Sequence, residues 1–331
     1  MLFPMSGQGT RYRKAGFEMA KPLIPVSGTP MIERLLTNFP LDWSCTFVLA
    51  ENHRQTSLPD LLQRLRPEAK ILFVPPHTEG PGMALKAALL LLDPTSAVLV
   101  SYCDYQMVWD AQAFQRFVTQ SDCDACVVSY RGFHAHYLNP VTYAFSRLEG
   151  ERVVEVKEKG SFTNVRENEF ASCGAYYFRS PAILQKSLEE QYQRNLVLNG
   201  EYYTSLTVQA LLLSEPKSHV RIFEIPYFFQ WGTPEDLERF QYWENTFAKF
   251  QRGMGAERPR VDCVLMPMAG HGSRFQALSP VPKPFLLVEG VPMYRCALQS
   301  LPEAERKTCF VGLESFQPYL PANPTAKESW K

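Results

Sequence analysis

What the 331-residue sequence lacks narrows it first. It carries no net charge, because 34 lysines and arginines balance 34 acidic residues. No overall field therefore draws a polyanion such as nucleic acid to it, although local basic sites remain open. No apolar stretch approaches the ~20 residues of a membrane span, and the longest, residues 87–92, reads as the end of an amphipathic helix. The opening MLFPMSG is too short for a signal peptide. Membrane insertion is thus not expected, and the cytoplasm is the expected location. Charge is sparse at 21%, yet 45% of the residues are hydrophobic, so the chain has the composition of a globular protein with a substantial core. The eight cysteines are scattered. Their one close pair, Cys123 and Cys126, adjoins an apolar run at 125–130, so buried reduced thiols are expected rather than a zinc or redox site.

What is present is a sequence that repeats itself. LFPMSGQGTRY at the start returns as VLMPMAGHGSRF near the end, and each copy reaches a Lys-Pro pair and then Gly-x-Pro-Met. Arg11 and Lys21 match Arg274 and Lys283. A single α/β domain of about 250 residues with a small appendage fits this better than two equal halves. The expected divisions are a domain at 1–252, a linker rich in Gly, Pro and charge at 253–261, and a partial repeat at 262–331.

Strand-like runs at 2–5, 46–50, 70–74 and 97–101 alternate with helical patterns, the rhythm of a parallel sheet. Leu58, Leu61, Leu62 and Leu65 share one helical face after Ser57, a candidate cap, and Pro59; Pro81 opens another helix. Past Asp104 the alternation loosens. A helix near 109–119 and strands near 125–130, 142–146, 152–157 and 171–178 predict a mixed sheet widened for a second ligand. Thr233, Pro234 and Asp236 form a capping-box start for a long helix whose Leu237, Phe240, Trp243, Phe247 and Phe250 should face the core. The last seventy or so residues predict a strand, a glycine loop, a helix near 293–300, a strand near 308–312 and a Pro-rich tail.

The segment Met5-Ser6-Gly7-Gln8-Gly9-Thr10-Arg11 follows the first strand directly. Its glycines can bring backbone N–H groups to a phosphate while Arg11 offers a fixed fork for phosphate oxygens. Alone, such a loop fits a tight structural turn as well as a phosphate site, and it matches neither a dinucleotide fingerprint nor a Walker loop. Joined to Lys21-Pro22-Leu23-Ile24-Pro25 and Gly28-Thr29-Pro30-Met31-Ile32-Glu33, it resembles the signature of the sugar-phosphate nucleotidylyltransferase (NTP transferase) family, over residues 1 to about 250.

That resemblance implies a three-layer, Rossmann-like α/β fold with a mixed central sheet. It also implies transfer of a nucleotidyl group from a nucleoside triphosphate to a phosphorylated small molecule, most simply a sugar 1-phosphate for surface polysaccharide, with release of pyrophosphate. Residues 5–10 would wrap the nucleotide, Arg11 would hold the outgoing phosphates, and Lys21 would neutralise the α-phosphate. Such a displacement is catalysed mainly by positioning and charge stabilisation. Glu79, Gly80 and Gly82 stand where the family packs a loop on base and ribose. Asp104, at the carboxyl edge of the parallel strands, matches the ligand of Mg²⁺, a hard oxygen for a hard cation. Glu158 and Lys159 look like the pair that holds the acceptor and its phosphate, Gly174 like the glycine a sugar lies against, and Glu201 to Tyr203 like a wall of the acceptor pocket.

The sequence departs from the family at Phe229-Gln230-Trp231-Gly232-Thr233-Pro234, where Gln230 replaces the second metal-binding Asp. A neutral amide is a weaker cation ligand, which leaves the place of Gln230 in the metal site open. The Asp122-x-Asp124 pair mimics a glycosyltransferase metal motif but precedes its strand and reads as a solvated turn. The second copy keeps Gly270, Gly272, Arg274, Lys283 and Gly290 and stops before any equivalent of Asp104. An interface element, a truncated second domain and a regulatory anion site are its three readings. Two rivals to the enzyme reading are a nucleotide-sugar-dependent glycosyltransferase and a non-catalytic nucleotide or sugar-phosphate sensor. CTP, UTP, GTP and dTTP all stay open, with a preference for CTP or UTP, and a homo-oligomer is left open too.

Overall fold

The computed structural model describes residues 1–138, 140–253, 259–270, 272–276, 279–321 and 325–331. It separates into two compact units, Met1–Thr246 and Phe247–Lys331.

The first unit begins β1 (Leu2–Met5), α1 (Thr10–Lys14), a two-residue hairpin of β2 (Pro25–Val26) and β3 (Thr29–Pro30), and α2 (Met31–Leu36). It continues with β4 (Thr46–Ala50), α3 (Leu58–Leu65), β5 (Lys70–Val74), α4 (Pro81–Ala88) and β6 (Val98–Ser101). Then come β7 (Tyr105–Val108), α5 (Ala111–Ser121), β8 (Ala125–Tyr130), β9 (Phe145–Glu149), β10 (Arg152–Lys157) and β11 (Phe170–Phe178). The last elements are α6 (Pro181–Gln193), α7 (Thr204–Ser214), β12 (Val220–Glu224), β13 (Tyr227–Gln230) and α8 (Pro234–Gly253), which runs past Thr246.

The central sheet runs β10-β9-β11-β6-β1-β4-β5, with β8 on β11 and β12 on β8. β1, β4, β5 and β6 are parallel, as the βαβ rhythm predicts. β11 enters antiparallel against β6, β8 and β9, which makes the sheet mixed. Alternation along each strand builds two cores. Phe3, Phe47 and Leu99 face one side, where the Phe3 and Phe47 rings stack at 4.8 Å; Leu2, Val48, Val98 and Val100 face the other.

Local chemistry explains most elements and corrects some expectations. α3 buries Leu58, Leu61 and Leu62 as its period requires, but the Ser57 hydroxyl makes no capping bond; Thr56 Oγ1 accepts from Leu58 N at 3.3 Å instead. The strand expected near 142–146 begins only at Phe145. α8 starts as the capping box predicts, with Asp236 N donating to Thr233 Oγ1 at 3.2 Å. Its expected core face holds only over the first turns: Leu237 is buried against Tyr12, Ile24, Val26, Met31 and Trp231, with Phe240 packed alongside. Trp243, Phe247 and Phe250 are 50%, 59% and 63% exposed, because that cluster ends at Phe240. All eight cysteines are free thiols, and Cys123 and Cys126 are buried. Asp122 stays exposed on the turn, as expected, and both it and the less exposed Asp124 are ion-paired to Arg179.

The second unit contains β14 (Arg260–Pro267), α9 (Ser273–Gln276), the hairpin β15 (Leu287–Val288) and β16 (Val291–Pro292), α10 (Met293–Gln299), β17 (Glu303–Val311) and β18 (Glu328–Trp330). The Pro-rich tail adds β18 as a third parallel strand, β14-β17-β18, over a small core of Met266, Phe285, Tyr294, Phe310 and Phe316. Most of the linker expected at 253–261 lies outside the described residues, between the end of α8 and the start of β14.

Candidate active site

The site grows from the carboxyl ends of β1, β4, β5 and β6, where a parallel sheet leaves room for ligands. After Met5, residues 6–9 turn into α1, with Gly9 at φ +60°, a left-handed conformation that disfavours any side chain. A Cβ on Gly9 would also lie 3.3 Å from Lys21 Cβ, so glycine lets the lysine pack against the loop. Lys21 opens a 3₁₀ turn and donates from Nζ to Asp104 Oδ2 at 2.6 Å and to Gly232 O at 3.2 Å. Asp104, between β6 and β7, is held in turn by its main chain, whose carbonyl accepts from Trp231 N at 3.0 Å. A side chain at Gly232 would meet Asp104 Oδ2 at 3.2 Å.

Tyr12, buried on α1, completes the tie. Its hydroxyl lies 2.6 Å from Trp231 O and 2.9 Å from Thr233 O, a donor between two carbonyls. Burial, followed by the Asp104 and Asp236 charges, holds its proton far above the usual phenol range, so it stays a donor. Arg11 is exposed and makes no ion pair among the described residues. It stands on α1 next to Tyr12. The structure thus pairs Lys21 with Asp104.

Gly80 and Gly82 have a different reason to be glycine than contact with a base. Tyr202 N donates to Glu79 O at 2.7 Å, and Gly82 N donates to Tyr202 O at 2.8 Å. A Cβ on Gly80 would lie 2.9 Å from Glu201 Cβ, and one on Gly82 would lie 2.7 Å from Tyr202 Cβ. The close approach at both positions is made by the chain's own 201–202 segment. Loop 79–82 and the segment containing Glu201 therefore form one bonded unit.

Glu158 and Lys159 follow β10 and are both engaged. Lys159, at φ +50°, donates to Tyr203 Oη at 2.5 Å, and Glu158 Oε2 accepts from Ser205 Oγ at 2.5 Å. Burial pushes the Glu158 carboxyl up to about 7, against the opposing pull of Ser205 and Lys159. Gly174 sits in the β-bulge of β11 at φ +94°, and a Cβ there would lie 3.1 Å from Tyr102 Cδ2. The Tyr102 ring therefore covers the face that the resemblance assigns to a sugar. That ring is fixed by Thr204 Oγ1, 3.1 Å from its hydroxyl.

Gln230 is buried, 8% exposed, at the end of β13. Its Nε2 donates to Asp236 Oδ1 at 2.7 Å, and Thr233 Oγ1 donates to Asp236 Oδ2 at 2.9 Å. A carboxylate only accepts, so the amide nitrogen must face Asp236, which leaves Gln230 Oε1 buried and without a partner among the described residues. Among the described residues no three of His, Cys, Asp and Glu gather into a metal cluster. Asp104 and the orphaned Gln230 Oε1 are hard oxygen donors of the type magnesium accepts.

Three residues here escaped the sequence reading. Asp236 was visible only as a cap. No motif marks Tyr143, whose phenol is pushed up by burial and then by the Asp236 and Asp104 charges. His77 stands in a loop without periodicity. His77 Nε2 lies 2.7 Å from Ser6 Oγ.

Residues 5–168 match the family model described as the MobA-like NTP transferase domain. Comparison with curated proteins returns no match. Among solved structures the chain is similar to the nucleoside-diphosphate-sugar pyrophosphorylase of Vibrio cholerae RC9, at 16% identity and a TM-score of 0.57 over 73% of this chain and 99% of that one. A putative glucose-1-phosphate thymidylyltransferase from Bacillus anthracis matches at 16% identity and 0.55, over 73% and 93%. The inositol-1-phosphate CTP transferase from T. maritima matches at 13% identity and 0.55, over 73% and 94%. These likenesses carry the fold, and the family model carries the assignment of residues 5–168, which form a MobA-like NTP transferase domain and hence a nucleotidyltransferase domain.

Proposed function

We propose that the protein transfers a nucleotidyl group from a nucleoside triphosphate to a phosphorylated small molecule, a sugar 1-phosphate for surface polysaccharide, and releases pyrophosphate in the cytoplasm. The observation that carries this reading is the Lys21–Asp104 pair, set against a glycine loop at the carboxyl edge of the parallel strands. CTP and UTP are the preferred triphosphates. The similar structures include enzymes of glucose 1-phosphate and inositol 1-phosphate, which supports a phosphorylated acceptor.

In this reading the N–H groups of residues 6–10 and the Arg11 guanidinium grip the β- and γ-phosphates, and Lys21 moves from Asp104 to the α-phosphate. An acceptor phosphate oxygen, already ionised and needing no general base, forms a bond to the α-phosphorus. The α–β bridging P–O bond breaks, and its electron pair leaves on pyrophosphate. Preset cations and N–H donors favour the charge that develops there. Magnesium would be held by Asp104, with Gln230 Oε1 as the neutral donor beside it, and would supply charge neutralisation for the triphosphate. Lys159 and Glu158 orient the acceptor, with Glu201 and the Tyr102 ring that covers Gly174 flanking it. The pairing of Asp122 and Asp124 with Arg179 argues against a glycosyltransferase metal motif.

We read the second unit as a partial copy of the first β-loop-α-β segment. Strand, short helix, Lys-Pro 3₁₀ turn, two-residue hairpin, helix and strand follow in the same order in both, and Gly272 at φ +62° abuts Lys283 as Gly9 abuts Lys21.

The test is pyrophosphate release with each triphosphate against a panel of phosphorylated sugars and amines, comparing the protein with Lys21→Ala and Asp104→Asn. Turnover with at least one pair, lost in both variants, is expected. Equal turnover in the variants would refute the site.

A further inference from the structure

His77 lies between β5 and α4, in a segment otherwise exposed on both sides of it, yet its ring reaches inward across the end of β4 to the loop after β1. There Nε2 meets Ser6 Oγ at 2.7 Å. Ser6 is 1% exposed, and the other ring nitrogen, Nδ1, is buried with no partner among the described residues. Two loops that leave the strands on either side of β4 are therefore joined by one bond between a buried hydroxyl and a half-buried imidazole. Such a bond is costly to assemble and costly to break halfway.

The bond is not needed to form the glycine turn. The second unit makes the same turn, with Gly272 at φ +62° and Lys283 Cβ 2.9 Å from a Cβ placed on it, where Gly9 has φ +60° and Lys21 Cβ at 3.3 Å. In that unit Ala269 stands where Ser6 does, and a methyl group suffices. The hydroxyl of Ser6 thus serves something other than the turn.

Burial holds the imidazole below its ordinary pKa, opposed by Glu79, so the ring is neutral near pH 7. A neutral ring has one donor and one acceptor nitrogen. Whichever role Nε2 takes toward Ser6, Nδ1 is left as the complementary unsatisfied group. Nothing else in the loop explains an inward histidine: its neighbours Pro75, Pro76, Thr78 and Glu79 are exposed.

We propose that His77 is a positioning residue for the nucleotide, which acts through Ser6 to hold the 6–10 loop and the 79–82 loop at the separation that admits a nucleoside triphosphate. This rests on the nucleotidyl-transfer reading of the same cleft. Because residues 79–82 are bonded to the 201–202 backbone, the tie also anchors the glycine loop to the rest of the cleft.

The experiment is calorimetric titration of CTP, UTP, GTP and dTTP, each with magnesium, into the full chain and into His77→Ala, His77→Gln, Ser6→Ala and the double variant Ser6→Ala/His77→Ala. Thermal unfolding of each protein is followed alongside. Where the wild type turns over, KM and kcat are measured separately. Loss of the bond is expected to weaken the triphosphate that the wild type binds by about tenfold, the scale of one buried hydrogen bond with an unsatisfied partner. The loss should appear in the nucleotide KM and leave the acceptor KM within about twofold. His77→Gln places an amide where Nε2 was and is expected to restore affinity to within about threefold. The double variant is expected to be no weaker than either single one. Wild-type affinity in His77→Ala, additive losses in the double variant, or no rescue by glutamine would each overturn the role of His77 while leaving nucleotidyl transfer intact. A wild type that binds none of the four triphosphates would overturn the functional reading and this inference together.

Discussion

Lys21 Nζ lies 2.6 Å from Asp104 Oδ2, so the cation and the anion of the cleft are paired with each other across 83 residues of sequence. Their side chains are 21% and 25% exposed. An ion pair in that setting contributes at most about 1 kcal/mol to stability. Removing a cation that meets charge developing at phosphorus costs a factor of about 100 or more in rate. Lys21→Ala and Asp104→Asn should therefore lower turnover at least about 100-fold while moving the unfolding midpoint little. Pyrophosphate release and thermal unfolding, measured on the same preparations, check this; matching losses in stability and turnover would make the pair structural.

Gly82→Ala tests the bonded unit of loop 79–82 and segment 201–202. The added methyl would sit 2.7 Å from Tyr202 Cβ and 3.0 Å from Tyr202 O, closer than packed atoms approach, and the second of these is backbone that cannot rotate away. Overpacking of this kind costs about 1–3 kcal/mol. A drop of that size in urea stability is expected. Because the displaced segment carries Glu201 and Tyr203, the KM for the acceptor should rise together with that for the nucleotide. Gly28→Ala, where a Cβ meets nothing within 4 Å but φ is +86°, isolates backbone strain from crowding.

The sheet was legible because short, almost wholly apolar runs such as β1, β4, β6 and β8 are a local property that tertiary contacts reinforce. Residues 46–50, 70–74, 125–130 and 152–157 were recovered to the residue. The Lys21–Asp104 pair was legible for another reason: the Lys-Pro turn and the strand end each have a short-range signature. The rest of the site depends on which side chains the fold brings together. His77 and Ser6 are 71 residues apart, and Tyr12 and Trp231 are 219 apart, so no window contains either pair. The misread face of α8 has the same origin. Trp243, Phe247 and Phe250 continue the helical period of Leu237 and Phe240, but the cluster that would bury them ends after the first turns.

Gln230→Glu tests the amide's role beside Asp236. The substitution keeps the shape and replaces the donor with a second carboxylate about where Nε2 now lies, 2.7 Å from Asp236 Oδ1. Two carboxylates so close and so little exposed cannot both ionise, and one keeps a proton to well above its usual pKa. The variant should be destabilised by about 1–3 kcal/mol at pH 8 and should recover much of this at pH 5, where the shared proton restores a hydrogen bond. Urea unfolding at both pH values checks it, with the wild type as reference. Magnesium should recover stability at pH 8 as well, if the oxygen now at Oε1 faces the cation.

Glu158 makes the pH dependence of the wild type itself predictable. Burial raises its carboxyl from 4.5 to about 7 in the folded chain, whereas the unfolded chain keeps the ordinary value. Between these limits the native state holds a proton that the unfolded state has already released. The unfolded state then binds fewer protons, so stability falls as pH rises. This contribution is fully present below about 4.5, declines up to about 7 and is flat above. Glu158→Gln removes the titration while an amide oxygen can still accept from Ser205 Oγ, now 2.5 Å from the carboxylate. The difference between wild type and variant in urea midpoint, followed from pH 4 to pH 9, should therefore shift in favour of the variant through that window and level off beyond it. A difference that stays constant across the series would place the Glu158 carboxyl at its ordinary pKa and remove burial as the force acting on it.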